Sequence, residues 1–124
     1  MTIDPRVMLL LACAVLSGCN FGSLFGPDEA DEDLAAGIQS YEDGNYRDAA
    51  RLIQDSLDAG LRSTSEKVKA HKYLAFIHCN AGRGGPCREE FRKALELDSS
   101  FQLDESEIGN PNWGPVFRSV KIRK

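Results

Sequence analysis

From residue 33 to 98 apolar side chains recur at the spacing of a helix face, and the pattern breaks at three glycine-bearing points. Leu34, Ile38 and Tyr41 form a first stripe that stops at Gly44-Asn45. Tyr46, Ala49, Ala50, Ile53 and Leu57 form a second, closed by Gly60, a residue suited to the left-handed end of a helix. Ser63 with Glu66 three residues on reads as a capping box that opens a third helix. That helix carries Val68, Leu74, Ala75, Phe76 and Ile77 and stops at Gly82-Arg83-Gly84-Gly85. Pro86 suits the first turn of a fourth, followed by Cys87, Phe91, Ala94, Leu95 and Leu97. Four helices joined by short turns predict stacked antiparallel pairs, an all-α fold.

The two pairs look alike. The run Tyr41-Glu-Asp-Gly-Asn-Tyr-Arg-Asp-Ala49-Ala50 resembles the tetratricopeptide repeat (TPR) at the turn between its two helices. With Gly44 as the turn glycine, Gly37 and Ala49 take the two small positions at which TPR helices approach closely. Ile53, Ser56 and Leu57 take the later packing positions. A second unit aligned on Gly82 puts Ala75, Cys87, Phe91 and Ala94-Leu95 in the corresponding places. The turn glycines lie 38 residues apart, against a TPR period of about 34, so an insertion falls around Gly60–Ser65. The second turn has no aromatic to match Tyr46, and Ser99 replaces the closing proline. Two repeats leave an open apolar end. Residues 99–124 are expected to cap it, through Phe101, Leu103 and a short helix after Asn110-Pro111 that bears Trp113, Val116, Phe117 and Val120.

The N-terminus has a different character. Arg6 precedes ten apolar residues, Val7 to Leu16, about 15 Å as a helix against a bilayer core of about 30 Å. The run is too short to span and has the length of a signal-peptide core. Leu16-Ser17-Gly18-Cys19 resembles the lipobox of bacterial lipoproteins. That resemblance implies removal of residues 1–18 and acylation of Cys19, stable because several chains anchor where one does not. Asn20 is not the aspartate associated with inner-membrane retention, so an outer-membrane anchor facing the periplasm is expected. Residues 19–32, with Gly22, Gly26, Pro27 and five acids between Asp28 and Asp33, read as a flexible lipidated tether. A net charge of −4 gives no reason to expect nucleic acid as a partner. Arg118, Lys121, Arg123 and Lys124 read as a solvated, dipole-favoured helix end.

Candidate chemistry is sparse. Cys79 and Cys87 flank the second turn and form an even pair once Cys19 carries lipid. A bridge there is favoured in an oxidising compartment, against two buried reduced thiols at small-residue positions. His71 and His78 lie two turns apart on one helical face, yet match no common zinc spacing, and read as satisfied helix histidines. Gly82-Arg-Gly-Gly-Pro lacks the Gly-Lys-Ser/Thr of a phosphate loop. The acids of Asp104-Glu-Ser-Glu107 read as solvated. No nucleophile–base–acid set emerges, so neither enzyme activity nor a cofactor, metal or small-molecule substrate is expected.

A binding surface remains. The groove of TPR proteins is lined by first-helix positions, which fall here at Leu34, Ile38, Tyr41 and Glu42, and at Lys69, Lys72, Phe76 and Asn80. These and Trp113 are the candidate partner contacts, Leu34, Ile38 and Phe76 being equally suited to internal packing. A more specific resemblance lies in Tyr73-Leu-Ala-Phe-Ile-His-Cys79, Cys87-Arg-Glu-Glu-Phe-Arg-Lys-Ala94 and Gly109-Asn-Pro-Asn-Trp-Gly-Pro-Val-Phe117. Together they are similar to small TPR lipoproteins associated with type VI secretion gene clusters of proteobacteria. The resemblance implies an accessory envelope scaffold that binds protein partners. General envelope assembly is the alternative.

Overall fold

A computed structural model describes residues 27–122, so the expected signal peptide, Cys19, and the ends of the chain at Arg123 and Lys124 lie outside the described residues. Among the described residues six helices follow in order: α1 (Pro27–Glu42), α2 (Tyr46–Ala59), α3 (Thr64–Asn80), α4 (Gly84–Leu97), α5 (Glu105–Ile108) and α6 (Gly114–Ile122). No strand occurs among the described residues. α1 pairs with α2 and α3 with α4 as two TPR-like hairpins, α2 stacks on α3, and α6 closes on α4.

Part of the expected tether is helical. Residues 27–32 belong to α1, and Ala30 is fully buried in the first core cluster. Proline is tolerated near the start of a helix, where a missing N–H costs little. Ala30 and Leu34, one turn apart, extend the apolar stripe across a segment whose composition looks purely solvating.

Both hairpin turns use the same device. Gly44 and Gly82 have φ of 85° and 75°, a conformation that costs most residues strain but not glycine. Asn45 N–H donates to Ser40 O (2.8 Å) and Gly44 N–H to Tyr41 O (3.1 Å). In the second turn Arg83 N–H donates to His78 O (2.9 Å) and Gly82 N–H to Cys79 O (3.1 Å). Each is a Schellman motif satisfying carbonyls that the helix leaves open. Ser63 caps α3, its Oγ accepting from Glu66 N–H at 3.4 Å, while the Glu66 carboxylate meets Lys69 at 3.1 Å instead of closing the expected box.

Small residues set the hairpin spacing. A Cβ on Gly37 would lie 2.6 Å from Ile53 Cγ1, so α1 and α2 cross where only glycine fits. Ala75, Ala49, Cys87 and Ala94 are all fully buried at the aligned small positions. Cys79 and Cys87 are bridged, with Cα atoms 5.3 Å apart, which joins α3 to α4 beside their turn.

α3 is the central helix. It gives Ala70, Leu74 and Ile77 to a first cluster with Ala30, Leu34, Ala49, Ile53 and Leu61. It gives Ala75 and Phe76 to a second, with Cys87, Phe91, Leu95, Leu103, Trp113 and Phe117. The C-terminal residues therefore cap the open end. Phe117 is 1 % exposed, edge-on to Phe91 at 5.2 Å and to Phe101 at 5.6 Å. Burying it is worth about 2–3 kcal/mol. Of the basic end, Arg118 donates to Ile108 O (3.3 Å) and Lys121 to Phe101 O (2.8 Å), so these two tie the cap together besides facing water.

Candidate functional site

The inner face of the second hairpin holds most of the expected partner contacts, and the chain's own C-terminal segment lies across it. Phe76 is 2 % exposed and stacks on Trp113, ring centroids 4.0 Å apart and planes at 19°. Trp113 is 8 % exposed and its Nε1–H donates to Glu107 O at 2.8 Å. Lys72 Nζ lies 2.8 Å from Glu107 Oε2 and 4.9 Å from the Tyr73 ring centroid. Asn80 Oδ1 accepts from Asn112 Nδ2 at 3.0 Å. Residues 107–113 thus engage α3 along three successive turns.

This corrects several expectations. Phe76 and Trp113 are core residues rather than free partner contacts, because each is the other's packing surface. Lys72 and Asn80 are held by Glu107 and Asn112. Glu107 is not solvated: one carboxylate oxygen takes Lys72 and the other accepts from Asp104 N–H at 3.0 Å. Leu34, 1 % exposed, and the partly buried Ile38 belong to the first cluster.

Tyr41, Glu42 and Lys69 remain reachable. Glu42 is exposed, and Lys69 is exposed with Glu66 at 3.1 Å beside it. Tyr41 is half-buried, with ring centroids of Tyr46 and Tyr73 at 5.3 and 5.2 Å. Burial and then the neighbouring Tyr46 raise the Tyr41 phenol above its ordinary pKa, against the opposing hydrogen bond from Asn80. Burial and then Glu107 do the same to Tyr73.

The histidines have separate partners. His71 Nδ1 lies 2.6 Å from Glu90 Oε2, and Lys93 lies 3.4 Å from the other Glu90 oxygen. Burial pushes the Glu90 carboxyl up, but the hydrogen bond and charge of His71, with Lys93, outweigh it and hold it below the ordinary value. His78 Nδ1 accepts from Arg83 Nε at 3.1 Å; burial and then Arg83 make it less basic than a free histidine. Among the described residues no group of three or more His, Cys, Asp or Glu side chains is placed to hold a metal ion. No helix among them is long and apolar enough to cross a membrane.

A surface the sequence reading missed lies between the two hairpin turns. An open cleft of about 320 Å³ is lined by Tyr46, Arg47, Ala50, Ile77, Asn80, Ala81 and Arg83. Tyr46 and Arg47 start α2, while Ile77 and Asn80 lie in the last turn of α3 and Ala81 follows it, so the stacking of α2 on α3 forms the cleft. The only signal was the placement of Arg47 and Arg83 just after the two turn glycines. Comparison with known protein families, with curated proteins and with solved structures finds no match to this chain.

Proposed function

We propose that this protein is an outer-membrane-anchored periplasmic adaptor that binds protein partners in the cell envelope, in the service of a type VI secretion apparatus. The observation that carries the reading is the lipobox-like Leu16-Ser17-Gly18-Cys19 combined with two stacked helical hairpins, the second clipped by a disulfide. A bridge between Cys79 and Cys87 suits an oxidising compartment such as the periplasm. Stacked helical hairpins suit an extended contact surface. Acylated Cys19 confines the domain to the membrane surface and raises its effective concentration near partners there. Since residues 107–113 lie on the inner face of the second hairpin, the adaptor reading puts partner contacts on the first hairpin and the turn edge, around Tyr41, Glu42 and Tyr46.

The test is cross-linking of the tagged full chain in cells, after palmitate labelling and membrane fractionation. The reading expects label dependent on Cys19, outer-membrane recovery and capture of secretion-system envelope components. Capture of barrel-assembly or cell-wall proteins alone would move the assignment to general envelope assembly. Absence of label would overturn the anchor.

A further inference from the structure

We propose that the cleft between the two hairpin turns docks an acidic peptide segment of a partner protein, with Arg47 and Arg83 receiving a carboxylate that lies beside an apolar side chain. The proposal rests on the adaptor reading and gives that partner a chemistry.

The cleft's charge runs against that of the chain. The chain carries 19 acidic and 15 basic side chains, yet no carboxylate lines this cleft and two guanidiniums do. Five of the ten other described cations have an acid beside them: Arg51 has Asp55, Lys69 has Glu66, Lys72 has Glu107, Lys93 has Glu90, and Arg92 has Glu89 and Glu96. Among the described residues Arg47 and Arg83 are in no ion pair. Asp48 follows Arg47 in the first turn of α2 but is not part of the lining.

One arginine is already oriented. Arg83 donates Nε–H to His78 Nδ1, which leaves its two outer nitrogens as a fork, the geometry that binds carboxylate with two parallel hydrogen bonds. His78 can hold Arg83 this way only as a neutral ring, the form that burial and the neighbouring Arg83 charge favour.

The remaining lining selects among anions. Ala50, Ile77 and Ala81 are apolar, and Tyr46 is 43 % exposed. Two guanidiniums would attract phosphate as well, but phosphate leaves the apolar half of the lining unfilled. A glutamate or aspartate next to a leucine or phenylalanine matches both halves. A volume of about 320 Å³ is at the low end of ligand sites and suits one or two side chains.

The experiment uses the full chain in detergent and a fluorescein-labelled peptide, Gly-Leu-Glu-Glu-Phe-Gly, read by anisotropy. The proposal expects binding that weakens about tenfold when both glutamates become glutamine, and falls with added salt. It expects Arg47→Ala and Arg83→Ala each to weaken binding several-fold, and Arg62→Ala, at the opposite end of α2 and α3, to leave it unchanged. All three positions are exposed, and matching thermal melts establish that the variants fold. No binding, equal binding of the glutamine peptide, indifference to both arginines, or displacement by inorganic phosphate at the peptide's own concentration would overturn it. If the Arg47→Ala, Arg83→Ala double variant still captures its envelope partners in cells, the cleft is wrong and the adaptor reading stands. If the full chain captures none while the peptide binds, the adaptor reading falls instead.

Discussion

Replacing Trp113 by alanine tests whether residues 107–113 are a built part of the domain. Trp113 is 8 % exposed, stacks on Phe76 at 4.0 Å and donates to Glu107 O at 2.8 Å. Truncating a buried aromatic costs about 3–5 kcal/mol, into which the lost stack (~1 kcal/mol) and hydrogen bond (~1 kcal/mol) are folded. A domain of this size holds only about 5–15 kcal/mol in total, so the loss is a large fraction of it. At roughly 4–8 °C per kcal/mol the melting temperature falls by about 12–40 °C. Far-UV circular dichroism reads the melt, since Trp113 is the sole tryptophan and its fluorescence goes with it. Trp113→Phe, which keeps an aromatic against Phe76 but loses the N–H, is expected to cost less than Trp113→Ala. If Trp113→Ala melts within about 0.5 kcal/mol of the parent, a surface-like value, the segment is not docked and the inner face is open.

Further predictions concern the hairpins and their charges. Cys79→Ser with Cys87→Ser loses about 2–3 kcal/mol in urea unfolding, from the loop-entropy relation for a separation of 8 residues; an unchanged midpoint would contradict it. Gly37→Ala costs about 1–3 kcal/mol by thermal melt, because its Cβ would lie 2.6 Å from Ile53 Cγ1 and 3.1 Å from Ile53 N. Stability is greatest between about pH 6.5 and 10 and falls on both sides, measurable by urea midpoints across pH. Below 6.5 the unfolded chain takes up a proton that folded His78 resists, and below 4.5 the contribution of Glu90 fades as pH falls through its depressed folded value. Above 10 unfolded tyrosines ionise before Tyr41 and Tyr73 do. Stability that rises on acidification below 6.5 would refute the sign.

The hairpins were legible because their determinants are local. Gly44 and Gly82 mark the caps, Gly37, Ala49, Ala75 and Cys87 mark the close approaches, and each acts within a few residues or one turn of its partner helix. The cysteine bridge was legible for the same reason, with its two residues on either side of a turn. The docking of the C-terminal segment was not. Trp113 on Phe76 and Glu107 on Lys72 join residues more than thirty positions apart, and a lone glutamate among acids gives no sign of a distant lysine. The start of α1 was misplaced because five acids outweigh one alanine in composition, although Ala30 is what the core uses. The turn-edge cleft depends on how α2 stacks on α3, which periodicity within each helix does not encode.

The most direct test of the adaptor account is a photo-cross-linking residue placed at Tyr46 in the full-length protein, with Asp58 on the same helix as the control. Mass spectrometry of adducts from intact cells identifies what lies against each position. The account predicts an envelope protein attached at Tyr46, absent at Asp58 and reduced by Arg83→Ala. Equal adducts at both positions, or cytoplasmic proteins alone, would contradict it.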